Sequence, residues 1–210
     1  MSDFPLLVTP RLRLRELIPS DAASILVIHG NAKAMKFFGT NPIRELAEAE
    51  ELVQKFVALR SAPNPGVRWA LEEKASGQLV GTCGLFAWNK EWCKCGTGYE
   101  LTPAMQGRGL MREALVAAFE WGFAEMHLNR IEAQIHPANE PSLRLAHSLG
   151  FQTEGLLREV ACWGNGFHDL LQLGLLRNNW ARGGSDANPA LNRSAHGIFS
   201  LRLPQRSAPG

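Results

Sequence analysis

Between residues 67 and 126 the chain passes through three strand-like segments in close succession, then opens a two-glycine loop into a long helix. This order restricts the possible folds more than any other feature of the sequence. VRWALEE (67–73), QLVGTCGLFAW (78–88) and GTGYEL (96–101) are separated by short turns, the second rich in lysine and cysteine. Connections this short cannot make the crossover that parallel strands need, so the three segments form an antiparallel meander. Leu110 to Met126 follows as a helix. Ahead of the meander, RLRLR (11–15) alternates strictly, as a strand with one buried face does, and Pro19-Ser20-Asp21 offers an N-cap to a short helix ending near Gly30. In ELAEAEELVQKFVALR (45–60), Leu46, Leu52, Val53, Phe56 and Leu59 recur at three- and four-residue steps, the pattern of an amphipathic helix. Beyond the long helix come a strand at 130–135, a helix at 141–149 stopped by Gly150, and strands around 151–162 and 167–177. The order predicts a mixed α/β (α+β) domain.

Composition narrows the function classes. The 210 residues suit one domain of ordinary size, and 45% hydrophobic and 20% charged residues are globular values. A net charge of +2 without any Lys/Arg-rich block gives no electrostatic footprint for nucleic acid. No apolar run approaches the ~20 residues of a membrane span. The N-terminus MSDFPLLVTPRLRLRELIPSD lacks the pattern of a secretory signal, so the cytoplasm is the expected location and no membrane partner is expected. The four cysteines, Cys83, Cys93, Cys95 and Cys162, include no CxxC pair, so neither a zinc site nor an easy disulfide is expected. After Arg182 the composition shifts to Gly, Ser, Asn, Pro and Ala. Residues 1–182 are therefore expected to form the domain and 183–210 a weakly structured tail.

The chemistry is concentrated in Tyr99-Glu100-Leu101-Thr102-Pro103-Ala104-Met105-Gln106-Gly107-Arg108-Gly109-Leu110-Met111. A polar loop that opens a helix turns backbone N–H groups toward one point, at the positive end of the helix dipole. Glycines there let an anion approach, and a pyrophosphate is the natural ligand; a plain capping turn is the competing explanation. GxxxxGK[ST] is absent, which excludes a P-loop. Gly107-Arg108-Gly109-Leu110-Met111-Arg112 lacks the third glycine of GxGxxG, and a meander does not lead into a parallel dinucleotide-binding fold.

Gln106-Gly107-Arg108-Gly109 resembles the Q/R-x-x-G-x-G/A signature of the GCN5-related N-acetyltransferases, the GNAT superfamily, with Met111 where the last small residue stands. The same G-x-G-x-M occurs in the branch of the ribosomal-protein N-terminal acetyltransferases RimJ and RimL. TPRLRLREL (9–17) looks like the opening strand of that branch. Asn139-Glu140-Pro141-Ser142, Leu149-Gly150-Phe151 and Glu154-Gly155 look like its N-x-x-S…LGF…EG block, and residues 163–169 like its G-x-[YFW]-x-D region. The resemblance covers about residues 9 to 182. It implies the GNAT fold, a central, mostly antiparallel twisted sheet of about seven strands flanked by helices and splayed between the fourth and fifth strands. It also implies acetyl-coenzyme A as cosubstrate, with no metal.

Residue by residue, the resemblance implies that backbone amides from Gln106 through Gly107, Arg108, Gly109 and Leu110 to Met111 hold the pyrophosphate, with the Arg108 side chain free to add charge. The pantetheine arm lies against the exposed edge of Gly98 to Leu101, where Gly96 and Gly98 suggest a bulge, and Asn139 hydrogen-bonds it or caps the following helix. Ser142 resembles the hydroxyl that protonates the departing thiolate, or is a first-turn helix serine. A neutral amine must attack a thioester carbonyl through an oxyanion, for which N–H groups near Leu101 are the expected donors. Glu100 is the leading candidate for the base, His136 and His168 weaker ones, and Asp169 is expected to fix the last loop by hydrogen bonding. The resemblance points to a protein N-terminal α-amine as acceptor, a ribosomal protein being the model case. A polyamine or antibiotic amine, or a non-catalytic coenzyme-binding domain, are the competing possibilities. The sequence leaves monomer or homodimer open.

Overall fold

The computed structural model describes residues 3–183, so the expectation for residues 184–210 lies outside the described residues. Among the described residues there are eight strands: β1 (Leu7–Val8), β2 (Leu12–Arg15), β3 (Val67–Glu73), β4 (Leu79–Asn89), β5 (Lys94–Leu101), β6 (Arg130–Ile135), β7 (Gln152–Trp163) and β8 (Gly166–Leu176). Six helices accompany them: α1 (Ala22–His29), α2 (Ala32–Met35), α3 (Leu46–Ala58), α4 (Leu110–Glu125), α5 (Glu140–Ser148) and α6 (Arg177–Gly183). All strands join one sheet in the order β1-β2-β3-β4-β5-β6-β8-β7. Every neighbouring pair is antiparallel except β5 and β6, which α4 connects in parallel. The mostly antiparallel, helix-flanked sheet and its splay are as the resemblance implies. The strand beyond the expected seven, Leu7–Val8, is too short to show alternation. The lysine- and cysteine-rich turn is shorter than its composition suggests, because Cys93 takes a left-handed conformation (φ 49°) and Asn89 already pairs with Lys94.

Alternation decides the layers. Leu12 and Leu14 of β2, Trp69 and Leu71 of β3, and Leu85 of β4 face α4, where Leu115 and Phe119 complete the larger core. Ala70 turns the other way, into a smaller core with Ile25 and Ile28 of α1 and Ala49 and Val53 of α3. Burying each such Leu or Ile contributes about 1.5–3 kcal/mol. At the far edge Asp169 Oδ1 accepts from Glu159 N–H at 2.8 Å, beside a register shift in β7 between Leu157 and Ala161. It thus ties the last two strands together.

The feature that positions the site is the short ladder between β5 and β6. Lys94, Cys95 and Gly96 pair with Arg130, Ile131 and Glu132, and beyond Gly96 the two strands part. Gly96 and Gly98 do not form a bulge here: the register shift of β4 against β5 lies between Phe86 and Asn89. The glycines instead make room for the Phe86 ring, since a Cβ on Gly96 would stand 2.8 Å from Phe86 Cε2.

Candidate active site

Antiparallel alternation determines what the gap between β5 and β6 offers. Thr102 N–H donates to Val80 O at 2.9 Å, so Leu101, paired with Gly81, turns its own N–H and C=O away from β4 and toward the gap. Tyr99 is two residues earlier and does the same. Leu101 O receives Gln106 Nε2 at 3.2 Å, which ties the loop to the end of the strand, while the Leu101 N–H remains on the open edge.

The loop ends at a helix start that no side chain closes. Gly109 is the N-cap of α4, at φ 75°, and makes no side-chain cap hydrogen bond. The N–H groups of Leu110, Met111 and Arg112 therefore lack both an intrahelical partner and a cap, at the positive end of a 16-residue helix. A Cβ built on Gly107, also left-handed at φ 74°, would meet nothing within 4 Å, so the space beside the loop is open. Arg11 fixes the loop from behind: Nη1 donates to Arg108 O at 2.8 Å, and Nε pairs with Glu113 Oε2 at 2.7 Å. The exposed Arg108 side chain reaches toward Glu73, 3.7 Å away. Open amides, a helix dipole and free space suit a pyrophosphate.

Across the gap, α5 begins quite differently. Asn139 Oδ1 accepts from Ser142 N–H at 3.3 Å, so this helix is capped by its own side chain. The Ser142 Oγ lies 2.8 Å from Tyr99 Oη, which joins the two sides of the gap through a pair of hydroxyls. Burial pushes the Tyr99 phenol above its ordinary value, and the Ser142 hydrogen bond partly offsets this, so both hydroxyls keep their protons near neutral pH. Tyr99 did not stand out in the sequence. Its alternation opposite Glu100 places it on the α5 face, but nothing local shows that it meets Ser142.

Glu100 points to the other face and is closed on every side. Arg68 Nη2 and Thr82 Oγ1 make close hydrogen bonds to its two carboxylate oxygens, and His29 Nε2 lies 3.2 Å from Oε1. Arg68 is held in turn by Thr82 Oγ1 at 2.7 Å, by Gly98 O at 3.2 Å and over the Phe56 ring. Burial works to raise the Glu100 carboxyl, but Arg68, His29 and Thr82 outweigh it and hold it below the ordinary carboxylate range. A carboxylate so satisfied is a poor acceptor for a further proton, and the arrangement suits fixing Arg68 and His29.

On the same side, the segment after α2 bridges the gap. The Phe38 ring packs edge-on against His29 at 5.1 Å, on the β5 side. Phe37 stacks on His136 at 4.8 Å, on the β6 side. Trp163 Nε1 donates to Lys36 O at 3.2 Å, Gly164 N–H to Asn41 Oδ1 at 2.7 Å, and Trp163 lies flat on His168 at 3.7 Å. His136 and His168 thus gather at the gap, whereas Asp169 stays at the β7 shift.

A description of a family, the acetyltransferase (GNAT) domain, matches residues 11–152, which span every element from β2 to the start of β7. The chain belongs to the GNAT acetyltransferase family. An uncharacterized N-acetyltransferase of Bacillus subtilis, YoaA, is 33% identical over 156 residues, covering 74% of this chain and 88% of the relative. The [ribosomal protein uS5]-alanine N-acetyltransferase of Escherichia coli is 34% identical over 89 residues, covering 42% of this chain and 46% of the relative. Among solved structures, spermidine N-acetyltransferase from Vibrio cholerae in complex with CoA and spermine superposes with a TM-score of 0.71 at 23% identity. That match covers 81% of this chain and 98% of that one. The protein is an N-acetyltransferase with acetyl-coenzyme A as cosubstrate. Among the described residues no cluster of His, Cys, Asp or Glu is placed to hold a metal ion, and no helix is long and apolar enough to cross a membrane.

Proposed function

We propose that this GNAT enzyme acetylates a protein N-terminal α-amine by direct attack in a ternary complex. The observation that carries this reading is the asymmetry of the gap. One face holds a protonated hydroxyl pair, Tyr99 and Ser142, while the carboxylate on the other face is already saturated by Arg68, Thr82 and His29. Without a free carboxylate base, the acceptor must arrive with an amine that is substantially neutral. An α-amine titrates near ~7.7–8.0, whereas freeing a lysine near ~10.4 at pH 7.4 costs about 4 kcal/mol. A polyamine would call for an uncompensated acidic pocket. Glu100 is neutralised by Arg68, and Glu45, Glu48, Glu50 and Glu51 are solvent-exposed, with Glu48 folded back on the start of α3.

The residues divide the work. Acetyl-coenzyme A, when bound, supplies the thioester carbonyl and the leaving sulfur. The amides of Gly107, Arg108, Gly109, Leu110 and Met111 hold its pyrophosphate, whereas the Gln106 N–H expected to join them is already given to Pro103 O at 3.2 Å. Leu101 offers its N–H at the edge of the gap. Asn139 holds Ser142 in place through its cap and flanks the pantetheine arm. Ser142 keeps a proton ready for the departing sulfur, and Tyr99 replenishes it. Glu100 fixes Arg68 and His29 beneath the acceptor.

The test is thiol release from acetyl-coenzyme A with peptides bearing free or blocked N-termini, alongside lysine-only, polyamine and aminoglycoside acceptors. Release with free N-termini that disappears on blocking is expected, and release with polyamines or aminoglycosides alone sinks the reading. Ser142→Ala is expected to lower kcat by about 100-fold while the coenzyme KM stays near wild type.

A further inference from the structure

The parallel register of β5 and β6 reveals a relationship that their sequence separation conceals. Gly96 is level with Glu132, so four residues further along each strand Glu100 is level with His136. Both steps are even, which keeps the two side chains on one face of the sheet. The contacts agree: Ile131, Ala133 and Ile135 are buried in the α4 core, whereas Gln134 pairs with Gln172 on the opposite surface. His136 is therefore the β6-side counterpart of Glu100, on the face where the proposed function sets the acceptor, beneath the bridge made by Phe37 and Phe38.

The hydrogen bonding of His136 specifies which hydrogen-bonding group it offers. Ala138 N–H donates to His136 Nδ1 at 3.1 Å, so in the neutral ring Nδ1 is the acceptor and Nε2 carries the hydrogen. Among the described residues Nε2–H has no partner, although the ring is held by Phe37 stacked upon it and by Trp163 and His168 at 6.0 and 5.6 Å. Partial burial, together with His168 and Lys36, holds the ring below the ordinary histidine value, against an opposing pull from Asp169. It is thus a neutral donor at neutral pH. Its lone pair is already used, so it is not arranged to remove the proton from an amine.

We propose that His136 is a specificity-determining residue whose Nε2–H donates to the carbonyl of the first acceptor residue and so selects amines carrying an adjacent carbonyl. This rests on the N-terminal reading above and goes further, because it defines the acceptor as an α-aminoacyl group. A peptide N-terminus has a carbonyl two bonds from the nitrogen that attacks. A polyamine or simple alkylamine has none and would leave the donor unsatisfied when it is covered. The neutral state of the ring serves the same end, since an imidazolium would repel an acceptor that, with an α-amine near ~7.7–8.0, is still mostly ammonium at pH 7.4.

The test compares wild type, His136→Phe and His136→Gln on a short peptide with a free N-terminus and on a primary alkylamine of matched size without the carbonyl. Phenylalanine keeps the stack on Phe37 and removes the donor; glutamine returns an amide N–H near the position of Nε2. For each acceptor the ratio of wild-type to variant kcat/KM cancels the acceptor's own amine pKa. His136→Phe is expected to lose about 10- to 100-fold on the peptide and less than about threefold on the alkylamine, with His136→Gln recovering most of the peptide activity. If the alkylamine gives no turnover, its inhibition constant against the peptide is the readout and is expected to be unchanged. Equal losses on both acceptors would overturn the proposal, since the ring would then serve the reaction or the fold. So would the loss, in His136→Phe, of an ionisation that limits wild-type kcat with a fully neutral amine, because that would make His136 the base. The N-terminal reading itself fails separately, in wild type alone, if the peptide is not acetylated while amines without a carbonyl are.

Discussion

The start of α4 and the pocket around Glu100 both lie at or beyond the C-terminal end of β5, and they treat polar groups in opposite ways. At α4 the N–H groups of the first turn are left without a side-chain cap, beside two left-handed glycines and open space. Around Glu100 each carboxylate oxygen is taken: one by Arg68, the other by Thr82 and His29. A folded protein leaves few buried polar groups unpaired, so bare amides mark a place prepared for a ligand, and a closed ion pair marks a place that holds the structure. A charged residue beside a reaction centre is therefore a weaker sign of chemistry than an amide without a partner.

The largest effect should come from opening the closed site. Arg68→Met leaves Glu100 buried without its cation, and removing one partner of a buried pair costs about 3–5 kcal/mol. Denaturant unfolding should show that loss; a change below about 1 kcal/mol would mean that the pair is not a structural anchor. Acid titration sharpens the point. The folded-state Glu100 carboxyl lies below its ordinary value of 4.5, so its contribution is present above that value and is lost as pH falls through the depressed one. Glu100→Gln should lack this part of the acid limb, so the stability gap between wild type and variant should narrow below about pH 4.5.

Much of this could be read from the sequence, and the limits have physical causes. Three- and four-residue periodicity located α3, strict alternation located β2, and the antiparallel pairing of the meander follows from its short turns. Those signals are local, and so is the glycine loop at α4. The short strand Leu7–Val8 and the four-residue α2 carry too few residues to show a period. The pairings Tyr99 with Ser142 and Glu100 with Arg68 join residues 43 and 32 positions apart. Alternation tells that Tyr99 and Glu100 face opposite ways, but it cannot say which face meets α5 and which meets an arginine. For that reason Glu100 looked like a base in the sequence and stands in an ion-pair network in the fold.

The next effect tests the open site. Gly109→Val forces a β-branched residue into a left-handed conformation at φ 75°, which only a shift of the loop can relieve. The amides of the first turn would then no longer converge, and coenzyme affinity is expected to fall by about 100-fold, or about 2.7 kcal/mol. Calorimetric titration with coenzyme A measures this directly, with the melting temperature recorded to exclude unfolding. Affinity within threefold of wild type in a folded variant would mean that the bare helix start does not bind the pyrophosphate.

The smallest effect comes from the helix start on the other side of the gap, and it is the sharpest control for the comparison. Asn139 closes α5 through its side chain, so the first-turn amides of α5 are partly satisfied and those of α4 are not. Asn139→Ala removes the cap, at an expected cost of about 1 kcal/mol in stability. It also frees the Ser142 N–H and loosens the position of the Ser142 hydroxyl against Tyr99, so kcat should fall a few-fold through that pair. If the pyrophosphate is held at α4, coenzyme A affinity in this variant should stay within about threefold of wild type, the residual change reflecting only the pantetheine contact. A loss on the scale of Gly109→Val would mean that both helix starts bind the coenzyme's charge, and the distinction between a bare and a capped helix would no longer identify the ligand site.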